Sequence, residues 1–99
     1  MFPGLTTKVS EQNIALATTI IPLSDVIHVT DTTSTTVAST IVPPYGGFSG
    51  IMIIINRSGA NITTVTTGNI ATAVTIGQNL STVFIYSFAQ AKWYPGAIS

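Results

Sequence analysis

His28 is the only histidine of this 99-residue chain, and there is no cysteine. That imidazole, with the three carboxylates Glu11, Asp25 and Asp31, is therefore the natural place to look for a metal centre or a catalytic base. Asp25 and Asp31 flank His28 three residues to either side, a spacing that on a helix gathers the groups on one face. The segment Asp25-Val26-Ile27-His28-Val29-Thr30 reads as a strand. On a strand, odd spacing sends side chains to opposite faces, so both carboxylates are expected to point away from the imidazole. The two aspartates would share a face but lie roughly 20 Å apart at about 3.3 Å per residue. A glycosidase pair needs about 5–9.5 Å. No serine stands in a Gly-x-Ser-x-Gly elbow. Gly46-Gly47-Phe48-Ser49-Gly50 lacks the Gly-Lys-Ser/Thr of a phosphate cradle. No catalytic residue, metal ligand or cofactor-binding residue is assigned, no cofactor is implied, and the chain is not expected to be an enzyme.

The aromatic residues are the remaining candidates. Trp93 and Tyr94 could stack on a sugar, but a tryptophan on a terminal strand more often closes a core or an interface. Lys92 and Tyr94 share one face of their short strand and Trp93 the other. Lysine keeps its ammonium in water, which puts Trp93 on the covered side. His28, Phe84, Tyr86, Trp93 and Tyr94 are therefore expected to be structural or interface residues.

These residues must be positioned by strands. The chain has 17 Thr, 14 Ile and 8 Val, and β-branched side chains favour the pleated surface. Proline, glycine and polar clusters punctuate it. Strands are expected over 14–21, 25–30, 37–42, 50–55, 61–67, 70–76, 80–88 and 92–94, with residues 31–36 as a polar loop or twisted edge. Asn56-Arg57-Ser58-Gly59-Ala60 reads as a hairpin turn, and Gly68-Asn69 suits a type II′ turn. The expected fold is all-β: a compact antiparallel β-sandwich or small barrel of about seven or eight short strands. Residues 1–13 form an extended N-terminal arm, and residues 14–99 the domain. No period runs through the chain, so a solenoid of repeats is not expected. Phe84, Tyr86 and Phe88 share a face. Strands 51–55 and 83–86 are apolar on both faces, so something should cover both sides. A short chain has few elements for that, which points to an oligomer.

Composition narrows the partners. Charged residues make up 6% of the chain, against about 25% in typical domains. Three cations cannot form the basic stripe that nucleic acid requires, so no nucleic-acid partner is expected. The longest strictly aliphatic or Met run is Ile51–Ile55, far short of the roughly 20 residues of a spanning helix. Neither a membrane partner nor a signal peptide is expected.

The order of motifs carries a resemblance. Ile27-His28-Val29-Thr30 leads through a threonine tract to Thr40-Ile41-Val42-Pro43-Pro44. Gly47-Phe48-Ser49-Gly50 and the apolar strand 51–55 follow. Then come Thr67-Gly68-Asn69-Ile70-Ala71, a long aromatic strand to Tyr86, and Lys92-Trp93-Tyr94-Pro95. This pattern, over about residues 14–95, resembles a small β-rich module of virion structural proteins of tailed bacteriophages. The module occurs as capsid decoration (cement) proteins and as terminal modules of fibre-like proteins. Gly68-Asn69-Ile70-Ala71 and Lys92-Trp93-Tyr94-Pro95 are its most specific parts. The module often has Gly where Asp31 stands, and Asp and Gly before the tryptophan where Ser87-Phe88-Ala89-Gln90-Ala91 stands. The resemblance implies a structural virion protein, a decoration subunit that binds the phage major capsid protein through its β-surface and N-terminal arm. It would be a homo-oligomer, expected as a trimer. It would be made in the bacterial host cytoplasm and located on the outer surface of the capsid. The alternative is a phage fibre-tip or lectin-like module for host surface glycans.

Overall fold

The computed structural model describes residues 11–32, 35–43 and 50–96. These residues form ten strands and no helix: β1 (Glu11–Ala15), β2 (Thr19–Ile20), β3 (Val26–Asp31), β4 (Val37–Ala38), β5 (Thr40–Ile41), β6 (Gly50–Asn56), β7 (Ile62–Thr64), β8 (Thr75–Ile76), β9 (Ser81–Ser87) and β10 (Lys92–Pro95). The chain is all-β. Its strands make a five-stranded sheet in the order β1-β3-β6-β9-β10, a three-stranded sheet β4-β7-β8 and the pair β2-β5. Among the described residues no closed barrel forms.

The expected antiparallel architecture holds for only part of the molecule. β6, β9 and β10 pair antiparallel, as do β7 and β8. β1, β3 and β6 run parallel, as do β2 with β5 and β4 with β7. Parallel neighbours need a crossover. Here the crossovers are themselves short strands of the two smaller sheets. The chain thus winds, leaving the large sheet after β1, returning beside it as β3, and returning again as β6. The returns are unequal in length: Glu11 aligns with Val26, and Val26 with Ile53. Unequal windings leave no period in the sequence.

Other boundaries shift for local reasons. The first strand begins at Glu11, inside the expected arm, and its pairing is displaced between Ile14 and Ala15. Residues 1–10 of that arm lie outside the described residues, as does the glycine loop over 44–49. The apolar run 14–21 crosses between sheets, so it divides into β1 and β2. The expected hairpin turn 56–60 instead carries the chain from the large sheet to the three-stranded one. Asn56, fully buried, organises it. Its amide donates to Ala60 O (2.8 Å) and Ile76 O (2.9 Å), and its Oδ1 accepts from Ser58 N (3.0 Å) and Ser58 Oγ (2.6 Å). Of the expected strand 70–76 only Thr75–Ile76 is regular.

The core is one cluster drawn from all three sheets. The large sheet gives Ile27, Val29, Met52, Ile54, Phe84, Tyr86 and Trp93; the smaller ones give Ile20, Ile41, Ala38, Ile62 and Ile76. Alternation along β9 sets its inward face: Thr82, Phe84 and Tyr86 are buried, and Ser81, Val83 and Ile85 are exposed. Phe88 does not continue this face. The strand ends at Ser87, and Phe88 enters the turn, 58% exposed.

Candidate interaction surface

Register places the outward side chains of the large sheet in rows. Val26, Ile53 and Val83 lie side by side, with Glu11 at the β1 end of the row. Ile51, Ile85 and Tyr94 make a second row, and Asn13, His28, Ile55 and Ser81 a third. The centre of this outer face is aliphatic and uncharged. Ile51 is 61% exposed, Ile85 49%, Val83 40% and Tyr94 40%. Sequence alone expected strands 51–55 and 83–86 to be covered on both sides. Among the described residues the inner side is covered and the outer side faces solvent.

A second apolar area adjoins it. Ile21, Leu23 and Val42 are exposed beside β2 and β5, Leu23 at 80%. Between the two areas lies a cleft of about 470 Å³, lined by Pro22, Leu23, Val42, Pro43, Ile51 and Trp93 among others. Gln12 reaches across to hold this corner: its Oε1 accepts from Leu23 N at 2.8 Å.

His28 sits at the β1 side of the outer face. Its Nε2 meets Glu11 Oε1 at 2.5 Å. The carboxylate beside the imidazole is thus Glu11, placed there by the parallel β1–β3 register. Sequence reasoning put Glu11 in the arm, and no local signal could have paired it with His28. The other ring nitrogen, Nδ1, is buried and makes no hydrogen bond among the described residues. Among those residues no group of three or more His, Asp or Glu gathers as a metal site. No described helix is long and apolar enough to cross a membrane.

The aromatic residues divide by face. Phe84 and Tyr86 point into the core, and Tyr94 points out. Trp93, 2% exposed, packs on Tyr86 with ring centroids 5.1 Å apart at 56°. Its Nε1 donates to Ile41 O at 3.1 Å. Its backbone N–H donates to Asn69 O and its carbonyl accepts from Ala71 N, each at 2.8 Å. Asn69 completes the joint. Its amide donates to Ile41 O (2.6 Å), and its Oδ1 accepts from Ile41 N (2.9 Å), so one side chain stands in for a strand against β5. Gly68 is required by close approach: a Cβ there would lie 2.2 Å from Ser39 O. Its backbone does not take the positive φ that a type II′ turn needs at its first central residue. The two motifs Gly68–Ala71 and Lys92–Pro95 therefore meet at one joint, and its function is to lock the fold. A buried indole with its N–H satisfied offers no platform to a sugar.

No protein-family model, curated protein or solved structure matches the chain.

Proposed function

We propose that the chain is a structural subunit of a tailed-phage virion, a capsid decoration protein that binds and stabilises the shell from its outer surface. One observation carries the reading: a small, nearly uncharged chain presents an aliphatic sheet face to solvent. Contiguous apolar surface of this kind marks sites of protein association. The motif order from Ile27 to Pro95 supports the choice of a virion module. The area around Ile21, Leu23 and Val42 and the N-terminal residues would meet the major capsid protein, and other surfaces would meet copies of the chain. Low charge suits this role, because repulsion does little to oppose association. The glycan-binding alternative would have to rest on Tyr94, since Trp93 is enclosed.

Co-sedimentation tests the proposal. Purified chain is mixed with capsids of the encoding phage from which small surface proteins have been stripped. Saturable co-sedimentation, together with greater resistance of the shell to heat, is the expected result. Binding to host cells or glycans with none to capsids would move the assignment to a fibre-tip module.

A further inference from the structure

We propose that the open edge of β1 is a docking site for an extended segment of the shell protein, which adds to the large sheet as a further strand. The inference rests on the reading of the chain as a shell-binding subunit, and names the edge through which it binds.

The two edges of the large sheet differ. The chain closes the β10 edge itself: Trp93 N–H donates to Asn69 O, and Trp93 O accepts from Ala71 N–H, each at 2.8 Å. Among the described residues no strand pairs with β1 on the side away from β3. Leu16 N donates to Asp31 O at 2.8 Å, and Ile14 O accepts from Thr30 Oγ1 at 3.3 Å. Backbone groups alternate in direction along a strand, so Gln12, Ile14 and Leu16 turn theirs towards β3. Glu11, Asn13 and Ala15 turn theirs outward, roughly 6.6 Å apart at about 3.3 Å per residue. A row of donors and acceptors at that repeat is matched by another extended backbone.

β1 is also held ready for addition. On its inner side Gln12 Oε1 accepts from Leu23 N (2.8 Å), and Gln12 Nε2 donates to Ile21 O (3.4 Å). On its outer side Glu11 meets His28. Both faces are tied to the chain's own residues, and what stays open is the backbone. A strand fixed before binding loses little entropy when a partner adds to it. Proline, lysine and bulges are common devices against strand addition. β1 has no proline or lysine, and its one register shift falls at the last step, between Ile14 and Ala15.

Two features choose the partner. Gln12 makes the edge continuous with Ile21 and Leu23, part of the area proposed to meet the shell protein. Glu11 is the only charged residue of β1 and its side chain is half-exposed, so the added strand should carry Lys or Arg level with it. The β1 of a second copy, Glu11-Gln12-Asn13-Ile14-Ala15, has no cation to offer.

Hydrogen exchange tests the proposal, read residue by residue by mass spectrometry on the full chain, free and bound to stripped capsids of the encoding phage. The Asn13 and Ala15 amides should exchange fast in the free chain at every concentration and become protected on capsids. The Gln12 and Ile14 amides should be slow in both. Asn13→Pro removes an outward N–H and keeps the bonds to β3, so its melting temperature should stay within a few degrees of wild type. Its ring stands in the way of an added strand, and capsid binding should weaken at least about tenfold. The exchange result does not depend on that variant folding. Capsid-bound chain with Asn13 and Ala15 still in fast exchange overturns the proposal and leaves the decoration reading standing, as does a folded Asn13→Pro that binds like wild type. Protection in the free chain overturns it too: protection that grows with concentration makes a second copy the occupant, and constant protection makes it the chain's own residues. A chain that does not sediment with capsids fails the decoration reading, and the partner named here falls with it.

Discussion

Replacing Trp93 by alanine removes the side chain that ties β10 to β5 and to the core. The indole is 2% exposed, rests on Tyr86 and donates to Ile41 O. Truncating a buried large aromatic costs about 3–5 kcal/mol. The acceptor is not orphaned, because Asn69 Nδ2 still donates to Ile41 O. The loss is thus mainly packing, with about 1 kcal/mol from the hydrogen bond. A domain of this size has a total stability of about 5–15 kcal/mol. At about 4–8 °C per kcal/mol, the melting temperature should fall by roughly 12–40 °C. Trp93→Phe keeps a ring against Tyr86 and loses the N–H, so it should cost about 1–2 kcal/mol. Circular dichroism melts at one fixed protein concentration measure both, since association would shift the midpoint. Wild-type indole fluorescence, from the only tryptophan, should be that of an enclosed ring and shift to the red on unfolding. An alanine variant melting within a few degrees of wild type would refute the assignment of Trp93 to packing.

Gly68→Ala should destabilise by at least about 1–3 kcal/mol through overpacking against Ser39, whereas Gly59→Ala, with nothing within 4 Å of the new methyl, should be neutral or stabilise by up to about 1 kcal/mol; urea titration distinguishes the two. Asn56→Ala removes the partner of the Ile76 carbonyl and of the Ser58 N–H, while Ala60 O keeps Ser58 Oγ, and should cost about 2–6 kcal/mol at about 1–3 kcal/mol per unmet buried group, read from the same titration. Glu11→Gln should change stability by less than about 1 kcal/mol, because the Glu11 side chain is 58% exposed. Self-association should weaken little between low and high salt, since no charge lies at the centre of the face; sedimentation at two ionic strengths checks this.

The strands that sequence reveals are those whose pattern is local. β3, β6, β9 and β10 follow from alternation or from an apolar run bounded by turn residues, and each lies within a residue or two of its expected limits. The antiparallel return of β10 beside β9 follows from the short connection between them, but the parallel partners do not, because pairing between β1, β3 and β6 depends on crossovers of unequal length. β2, β4, β5 and β8 are two residues each, too short to show a period. The same limit hides the His28–Glu11 contact, which exists only once β1 is set beside β3. Gly68 looks like a turn residue until Ser39 is placed against it. The aliphatic face was legible as strands apolar on both sides; which side stays open was not, since that depends on where the small sheets lie.

The winding of the chain has a kinetic consequence. β3 pairs with β1, β5 with β2, β6 with β3 and β7 with β4. Each of these strands is laid on a template made earlier in synthesis, so the first seven can accrete in the order in which they leave the ribosome. Their contacts are far apart in sequence, a topology that folds slowly. The hairpin β9–β10 comes last and adds along the open edge of β6, and Trp93 then fastens Asn69 and Ile41 behind it. Until that fastening the inner face of the sheet and its unpaired edge are both open to other nascent chains. Interruption of synthesis before Trp93 should therefore yield an aggregating fragment.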